Sequence, residues 1–180
     1  GFEALTYMIA GTLRHKDSAG FNGYVGPLGA QWLTNASGLT HDEVPDQTEG
    51  LFWCLQLWIN LPAANKFDDP FYDESSAEQS PVAVNDSGAE IRVVAGEFEK
   101  TIGSLPPVSR PSKPVYLDVF LQEGGQFIYS PPEGYTVLLF VIEDQITIGF
   151  NDVAKAGELV LLEKSGRIAV KSERASRFLL

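Results

Sequence analysis

Two side chains that commonly bind metals stand close together in the segment SGLTHDEVP, residues 37–45. His41 and Glu43 are two positions apart, and because side chains alternate between the faces of a strand, both would point to the same side. Imidazole and carboxylate groups together suit many transition metals. The pair therefore predicts half of a metal site, although a solvated surface strand in an acidic protein would show the same residues. Asp42 is expected to face the other way.

The chain offers few other candidates for chemistry. His15, in the charged segment RHKDSAGFNG, is expected to be a surface hairpin residue and is not counted as a ligand. Cys54 is the only cysteine, which excludes an internal disulfide and any cysteine-based zinc site within one chain. Its apolar surroundings favour a small core residue over a nucleophile. The two histidines do not fit a serine or cysteine triad pattern.

Composition and charge exclude further classes of function. The 180 residues carry a formal net charge of −11, which repels phosphate backbones and argues against direct nucleic-acid binding. No apolar stretch approaches the ~20 residues that span a bilayer, and the N-terminus lacks the basic region of a signal peptide. A cytoplasmic protein is expected, with a nuclear pool as well if the source is eukaryotic.

Short apolar runs separated by turn residues indicate an all-β fold. The chain contains 17 Gly and 11 Pro, and no segment shows a sustained helical period. A stretch beginning at LTYMIAG resembles a later one beginning at LLFVIED in its order of strands and turns. Aligned without gaps from Gly29 and Gly157 onward, the two copies place Ser37-Gly38 on Ser165-Gly166. The repeat predicts two similar β modules, each closed to remove exposed strand edges.

The aligned modules differ where chemistry would occur. His41 falls on Ala169 and Glu43 on Lys171, and the second module contains no histidine. We therefore expect a metal only in the first module and a structural or regulatory role for the second. The predicted boundaries are an N-terminal module at 1–66, a polar and Pro-rich linker with one docking strand at 67–113, and a C-terminal module at 114–180.

Several ordered blocks resemble the pirin family, a branch of the cupin superfamily. They include GFEALTYMIAGTLRHKDSAG, GPLGAQWLTNASGLTHDEVP, LQLWINLPAANK and LDVFLQEGGQFIYSPPEGYTVLLFVIE, and the likeness covers essentially the whole chain. It implies two cupin (jelly-roll) barrels in tandem, each incomplete in this chain, with one iron in the N-terminal barrel. The chain starts at Gly1 without a methionine and stops on an apolar strand pattern, so we expect a fragment cut at both ends.

The resemblance also implies a ligand set. Pirins hold the metal with three histidines and a glutamate, of which His41 and Glu43 match the third histidine and the glutamate. The other two form a His-x-His pair before the block that begins with Gly1, and Glu3 matches a cupin-motif glutamate that is generally not a ligand in pirins. With two ligands alone, we expect this chain to bind iron weakly or not at all and to be inactive.

Two functions follow from the resemblance, and the sequence leaves both open. The first is a quercetin 2,3-dioxygenase that uses Fe(II), or another divalent metal, and O2 to open a phenolic flavonol substrate, with Glu43 as ligand and catalytic base. The second is an iron-dependent, redox-sensing regulatory protein without physiological turnover, which acts as a transcriptional co-regulator or binds an enzyme. A stress protein with vestigial chemistry is a third reading.

Overall fold

The computed structural model describes residues 1–105, 110–162 and 166–180. Within these ranges the chain consists of strands, turns and one short 3-10 helix, Ala63–Asn65, with no α-helix. None of the described segments forms a helix long and apolar enough to cross a membrane. The all-β prediction is confirmed. The predicted turn at Ser165 lies outside the described residues.

The chain divides into two compact units. The first comprises residues 1–81 and 103–114, and the second comprises residues 82–102 and 115–180. The predicted boundaries at 66/67 and 113/114 differ from this division and stay a prediction. The strands of the first unit are β1 Phe2–Ala10, β2 Leu13–Asp17, β3 Asn22–Val25, β4 Ala30–Thr34, β5 His41–Pro45, β6 Trp53–Asn60 and β7 Phe71–Ser75.

The second unit contains the remaining strands. They are β8 Val82–Val84, β9 Ala89–Ala95, β10 Glu97–Phe98, β11 Thr101–Ile102, β12 Tyr116–Leu121, β13 Gln126–Tyr129, β14 Val137–Glu143, β15 Gln145–Ile148, β16 Asp152–Lys155, β17 Leu159–Leu162, β18 Ile168–Lys171 and β19 Ser176–Leu179. The strand predicted within the linker is β9, which pairs with β12 in a six-stranded sheet.

Two antiparallel sheets form the first unit. One has the strand order β6-β1-β4-β7 and the other β3-β2-β5. Because side chains alternate along β1, Thr6 and Met8 lie on one of its faces and Leu5 and Tyr7 on the other. All four are buried, so this strand is covered on both sides. Met8 packs with Leu13 and other apolar side chains between the strands.

The predicted repeat is visible in the strand pairing. In the first unit β1 lies between β4 and β6, and β2 pairs with β3 and β5. In the second unit β14 lies between β17 and β19, and β15 pairs with β16 and β18. Each module thus uses the same antiparallel connectivity, as the recurrence of apolar runs and turns along the sequence indicates.

Aromatic side chains fill the core of the second unit. Phe127 is fully buried, with its ring centroid 5.7 Å from that of Phe98 and 5.6 Å from that of Phe178. These rings belong to a continuous cluster of buried apolar residues from both of its larger sheets. Such a core stabilises the module by removing apolar surface from water. The structural or regulatory role expected for the second module stays a prediction.

Candidate metal centre

The ladder between β2 and β5 brings the metal-binding side chains together. In this antiparallel pair His15 is directly opposite Glu43, and Asp17 is opposite His41. Directly opposed residues have Cβ atoms roughly 5 Å apart, so the register of two five-residue strands places two imidazoles and two carboxylates in one small area. Asp42, by contrast, is exposed and opposite Lys16, as the alternation of a strand requires.

Two imidazole nitrogens converge on one carboxylate oxygen. His15 Nδ1 and His41 Nδ1 each lie 3.5 Å from Glu43 Oε1. One potential ligand atom from each of the three residues lies within 4.8 Å of the others. The sequence-predicted pair, His41 and Glu43, is therefore brought together on one side of β5, and the structure adds His15 to it.

The prediction of His15 as a surface hairpin residue is wrong. Only 1% of its surface is exposed, because it shares one face of β2 with the buried Leu13 and Asp17. Its Nε2 lies 2.9 Å from Asp17 Oδ2, and Asp17 Oδ1 accepts hydrogen bonds from the backbone N–H groups of Ala19 and Phe21. The alternation of LRHKD, starting from the apolar Leu13, is the signal that indicates the inward direction of His15.

The environment of His15 alters two pKa values in opposite directions. Burial lowers the pKa of His15, but the carboxylates of Glu43 and Asp17 outweigh burial and raise it above 6.5. Burial raises the pKa of Asp17, but the His15 ring and the two backbone donors outweigh it and lower the value below 3.8. Both effects favour an ionised pair.

Two side-chain amides hold Glu43 from either side. Gln31 Nε2 donates a hydrogen bond to Oε1, and Gln56 Nε2 donates to Oε2 at 3.1 Å. Burial raises the pKa of Glu43, whereas the nearby His15 ring, the charge of His41 and the hydrogen bond from the Gln31 amide together lower it below 4.5. The carboxylate is therefore fixed in orientation and kept anionic, as a metal ligand must be.

Tyr72 and Gly23 form one wall of the site. The Tyr72 ring is stacked on His15 with centroids 4.5 Å apart and an interplanar angle of 21°. Its hydroxyl donates to Glu74 Oε2 at 2.7 Å. A Cβ at Gly23 would clash with both the Tyr72 hydroxyl and the Glu74 carboxylate. Only glycine at this position leaves room for the tyrosine to cover the imidazole.

Aromatic groups border the same face of the sheet. Trp58 is 67% exposed, its ring centroid is 4.9 Å from that of Phe2, and its Nε1 donates to Gln56 Oε1 at 2.6 Å. The exposed indole is thus connected to Glu43 through a single amide. Cys54, on the same face of β6, packs against the Met8 cluster, as predicted for a small apolar residue.

Glu3 lies on the opposite face of β1 from Thr6 and belongs to a separate network. It is fully buried, and its Oε1 accepts hydrogen bonds from Trp32 Nε1 at 3.3 Å and from Thr34 Oγ1 at 2.8 Å. Because alternating residues on β1 face opposite sides, the Glu3 carboxylate points away from the face that carries Gln56 and Glu43.

The arrangement fits a divalent transition metal. Its donor set is imidazole nitrogen and carboxylate oxygen, the ligand types that non-haem iron and similar ions take. His15 Nδ1 is buried and has no hydrogen-bond partner among the described residues. A polar atom left unpaired in the interior requires an explanation, and an ion at the convergence point supplies one. Residues His41, Glu43 and His15 could hold such an ion.

Solved structures and relatives agree on the class of the protein. A quercetin 2,3-dioxygenase from Acinetobacter baumannii superposes with a TM-score of 0.90 and 29% identity, covering 99% of this chain and 63% of that chain. GK1651 from Geobacillus kaustophilus superposes with a TM-score of 0.90 and 28% identity, covering 99% and 72%. With its tandem all-β modules and its histidine–glutamate cluster, the protein is a cupin.

The Pirin family profile matches residues 1–59. A Pseudomonas aeruginosa protein named as a candidate quercetin 2,3-dioxygenase is 38% identical over 184 residues, and Pirin-1 of Arabidopsis thaliana is 34% identical over 186. Both alignments cover all of this chain. The chain spans 65% and 63% of these relatives' own lengths. Over its whole length the chain is thus similar to members of the pirin family.

Proposed function

We propose that the whole protein is a metal-dependent dioxygenase of the quercetin 2,3-dioxygenase type, acting on a flavonol with O2 in its N-terminal barrel. The observation that carries this proposal is the convergence of His41 Nδ1 and His15 Nδ1 on Glu43 Oε1. The names of the Pseudomonas aeruginosa relative and of the Acinetobacter baumannii structure support the substrate class. The predicted cytoplasmic location stays a prediction.

His41 and Glu43 would hold the metal, which we propose to be Fe(II). The family resemblance adds a His-x-His pair before the block that begins with Gly1. When bound, the metal would supply a redox-active Lewis acid for the reaction of the flavonol with O2. Binding of the flavonol and movement of its proton are tasks for the side chains around it.

Glu43 is the proposed acceptor of the flavonol hydroxyl proton. Its lowered pKa keeps it ionised at neutral pH, which a base requires before it can accept a proton. Both of its oxygens receive one amide hydrogen bond, and each oxygen has a further lone pair that can accept the proton. The Gln56 amide also donates to Thr6 Oγ1 at 3.1 Å.

Trp58 and Phe2 are suited to a flat aromatic substrate. Their rings lie side by side at the border of the site, and most of the Trp58 surface is exposed. A planar phenolic ring stacked on the indole would gain dispersion and apolar burial. The Trp58–Gln56 hydrogen bond would keep the indole in one orientation for this contact.

The test is oxygen consumption by the whole iron-loaded protein with quercetin. We expect one carbon monoxide released per O2 consumed, and we expect turnover to vanish in His41→Ala. Asp42→Ala is the matched control, because Asp42 is the exposed neighbour on the same strand. Equal turnover in wild type and His41→Ala would contradict the proposed role of the site.

The alternative function is an iron-dependent regulator that binds a protein partner without turnover. The net charge of −11 favours it, because an acidic surface steers association with a basic partner. The same preparation separates the two functions. Absence of oxygen consumption, together with partner binding that differs between Fe(II) and Fe(III) forms, would support the regulator.

A further inference from the structure

We propose that Gln56 is a specificity-determining residue of the flavonol site, because its amide holds the Trp58 indole beside Glu43 and accepts a hydroxyl from a ligand stacked there. This rests on the proposed function and adds the chemistry by which the site selects its ligand, a flat ring with a hydroxyl donor on one edge. Gln56 and Trp58 are two positions apart on β6 and therefore share one face of that strand.

The first observation is the use of the Gln56 amide. Its Nε2 donates to Glu43 Oε2 and to Thr6 Oγ1, each at 3.1 Å, and its Oε1 accepts from Trp58 Nε1 at 2.6 Å. A side-chain amide has two N–H donors and two acceptor lone pairs on its oxygen. One lone pair of Oε1 therefore remains for a ligand, whereas both N–H groups are already engaged.

The second observation is that the partners of the amide fix its orientation. An ionised carboxylate only accepts hydrogen bonds, and an indole N–H only donates them. Rotating the Gln56 amide by half a turn would set its oxygen against the Glu43 carboxylate and its NH2 group against the Trp58 N–H. Both contacts would be repulsive, so Glu43 and Trp58 keep the oxygen of Gln56 on the side of the indole.

The third observation is that this end of β6 faces solvent. Gln56 is exposed and Trp58 retains 67% of its surface, whereas the intervening Leu57 is half-buried on the other face. Thr6, opposite Gln56 on β1, is buried beneath them. A planar ring lying on the indole would have its edge next to Gln56 Oε1 and Glu43 Oε2.

These contacts define the ligand edge that the site accepts. Gln56 Oε1 and Glu43 Oε2 are both acceptors, so the ligand must supply the hydrogens. A phenolic hydroxyl does so, whereas a ring without a hydroxyl at this edge leaves the two acceptors unpaired. A site built to hydrogen-bond a hydroxyl discriminates against the analogue that lacks it. A flavonol differs from the corresponding flavone by its 3-hydroxyl, so Gln56 favours flavonols over flavones.

The second module provides an internal comparison. In the repeat, LTYMIAG aligns with LLFVIED, so Thr6 corresponds to Leu139, which is fully buried in the apolar core. The strand β19, the counterpart of β6, contributes the fully buried Phe178 to the same core. The polar face on β6 is therefore a property of the first module rather than of the shared strand connectivity.

The test compares two ligands that differ only in the 3-hydroxyl. We would measure the dissociation constants of quercetin and of luteolin, the flavone without that hydroxyl, by calorimetry on the metal-free whole protein. We expect the wild type to prefer quercetin, and we expect this preference to fall about three- to tenfold in Gln56→Leu, the value of one hydrogen bond to a neutral acceptor. Gln126→Leu, an exposed glutamine of the second unit, is the control and should keep the wild-type preference.

Trp58→Phe tests the part played by the indole N–H. This variant keeps an aromatic ring but removes the donor that holds Gln56 Oε1, so the amide can turn and the preference for quercetin should fall as well. A general disturbance of the site would weaken both ligands alike, so the ratio of the two dissociation constants is the informative readout. Circular dichroism of each variant establishes that the fold is retained.

The outcomes separate this inference from the function on which it rests. An unchanged preference for quercetin in Gln56→Leu, or no preference in the wild type, would overturn the role of Gln56 even if the iron-loaded protein consumes O2. The expected preference and its loss, without oxygen consumption by the iron-loaded protein, would overturn the dioxygenase and retain Gln56 as the selective residue of a flavonol-binding site. Absence of quercetin binding by the wild type would overturn both.

Discussion

His15 and Glu43 are directly opposite each other in the antiparallel ladder between β2 and β5, although 28 positions separate them in the sequence. This register puts the imidazole and the carboxylate on the same face, with His41 two residues away on β5. A slip of one residue would turn every side chain of one strand to the opposite face. The metal centre therefore depends on strand pairing as much as on residue type.

Gly23 is required for the packing of Tyr72 over His15. In Gly23→Ala the new methyl group would displace the Tyr72 hydroxyl and the Glu74 carboxylate, and we expect a loss of about 1–3 kcal/mol in the free energy of unfolding. Urea unfolding measures this. The control is Gly26→Ala, where no described atom lies within 4 Å of the added carbon and where we expect a change within about 0.5 kcal/mol. Equal losses in both variants would contradict this account.

The sequence predicts the fold better than it predicts the site. Alternating apolar runs and turn residues indicate the strands, and the period of two places His41 and Glu43 on one face of β5. The charged residues Arg14 and Lys16 around His15 suggest a surface hairpin, yet both are exposed on the face opposite the imidazole. The pairing of β2 with β5 depends on non-local registry, which no local pattern contains.

The two amides that hydrogen-bond Glu43 illustrate the same limit of prediction from the sequence. Gln31 is fully buried on β4, and Gln56 lies on β6, so the two donors come from strands on either side of β1. Each glutamine occupies an ordinary strand position in the sequence. Only the sheet order reveals that their amides meet at one carboxylate.

Removing either of the two side-chain amides that hydrogen-bond Glu43 should weaken metal binding. In Gln31→Leu, Glu43 Oε1 loses its amide donor, so the carboxylate becomes less well oriented and less strongly anionic. We expect a 10–100-fold weaker Co(II) affinity by calorimetry, with a smaller effect in Gln56→Leu because its hydrogen bond to Glu43 is exposed to solvent. Gln126→Leu, an exposed glutamine of the second unit, is the control. An unchanged Co(II) affinity in Gln31→Leu would show that the Gln31 amide does not position Glu43.

The pKa of His15 predicts how the metal-free chain responds to pH. Because its folded pKa is raised above 6.5, the ionised His15 stabilises the fold fully below its unfolded value, and this stabilisation is lost as the pH rises through the folded pKa. We expect the free energy of unfolding, measured with a chelator present, to fall as the pH rises from the unfolded pKa of His15 to its folded pKa. The fall should be absent in His15→Gln and unchanged in Lys16→Gln. A fall that persists in His15→Gln would assign it to another group.

The pKa values of Asp17 and Glu43 predict a loss of stability as the pH falls. Their folded pKa values lie below 3.8 and 4.5, so their stabilisation is present above the unfolded values and is lost as the pH falls through the folded ones. Denaturant unfolding between about pH 5 and about pH 2 should show this loss. We expect the free energy of unfolding to fall less steeply with decreasing pH in Asp17→Asn. Asp42→Asn, on the exposed face, should show the same steepness as the wild type. Identical slopes in the two variants would contradict the assignment.

In the second unit, Arg177 and Asp118 form a bidentate ion pair that should be costly to break on one side. Arg177 Nε and Nη2 donate to the two oxygens of Asp118 at 2.9 and 2.7 Å, and the two side chains are 14% and 7% exposed. Arg177→Met would leave a nearly buried carboxylate without this partner, and we expect a loss of about 3–5 kcal/mol. The double variant Arg177→Met/Asp118→Leu should lose less than Arg177→Met alone, because no uncompensated charge remains. Urea unfolding of the two single variants and the double variant gives the coupling energy, and strictly additive losses would mean that the pair contributes nothing as a pair.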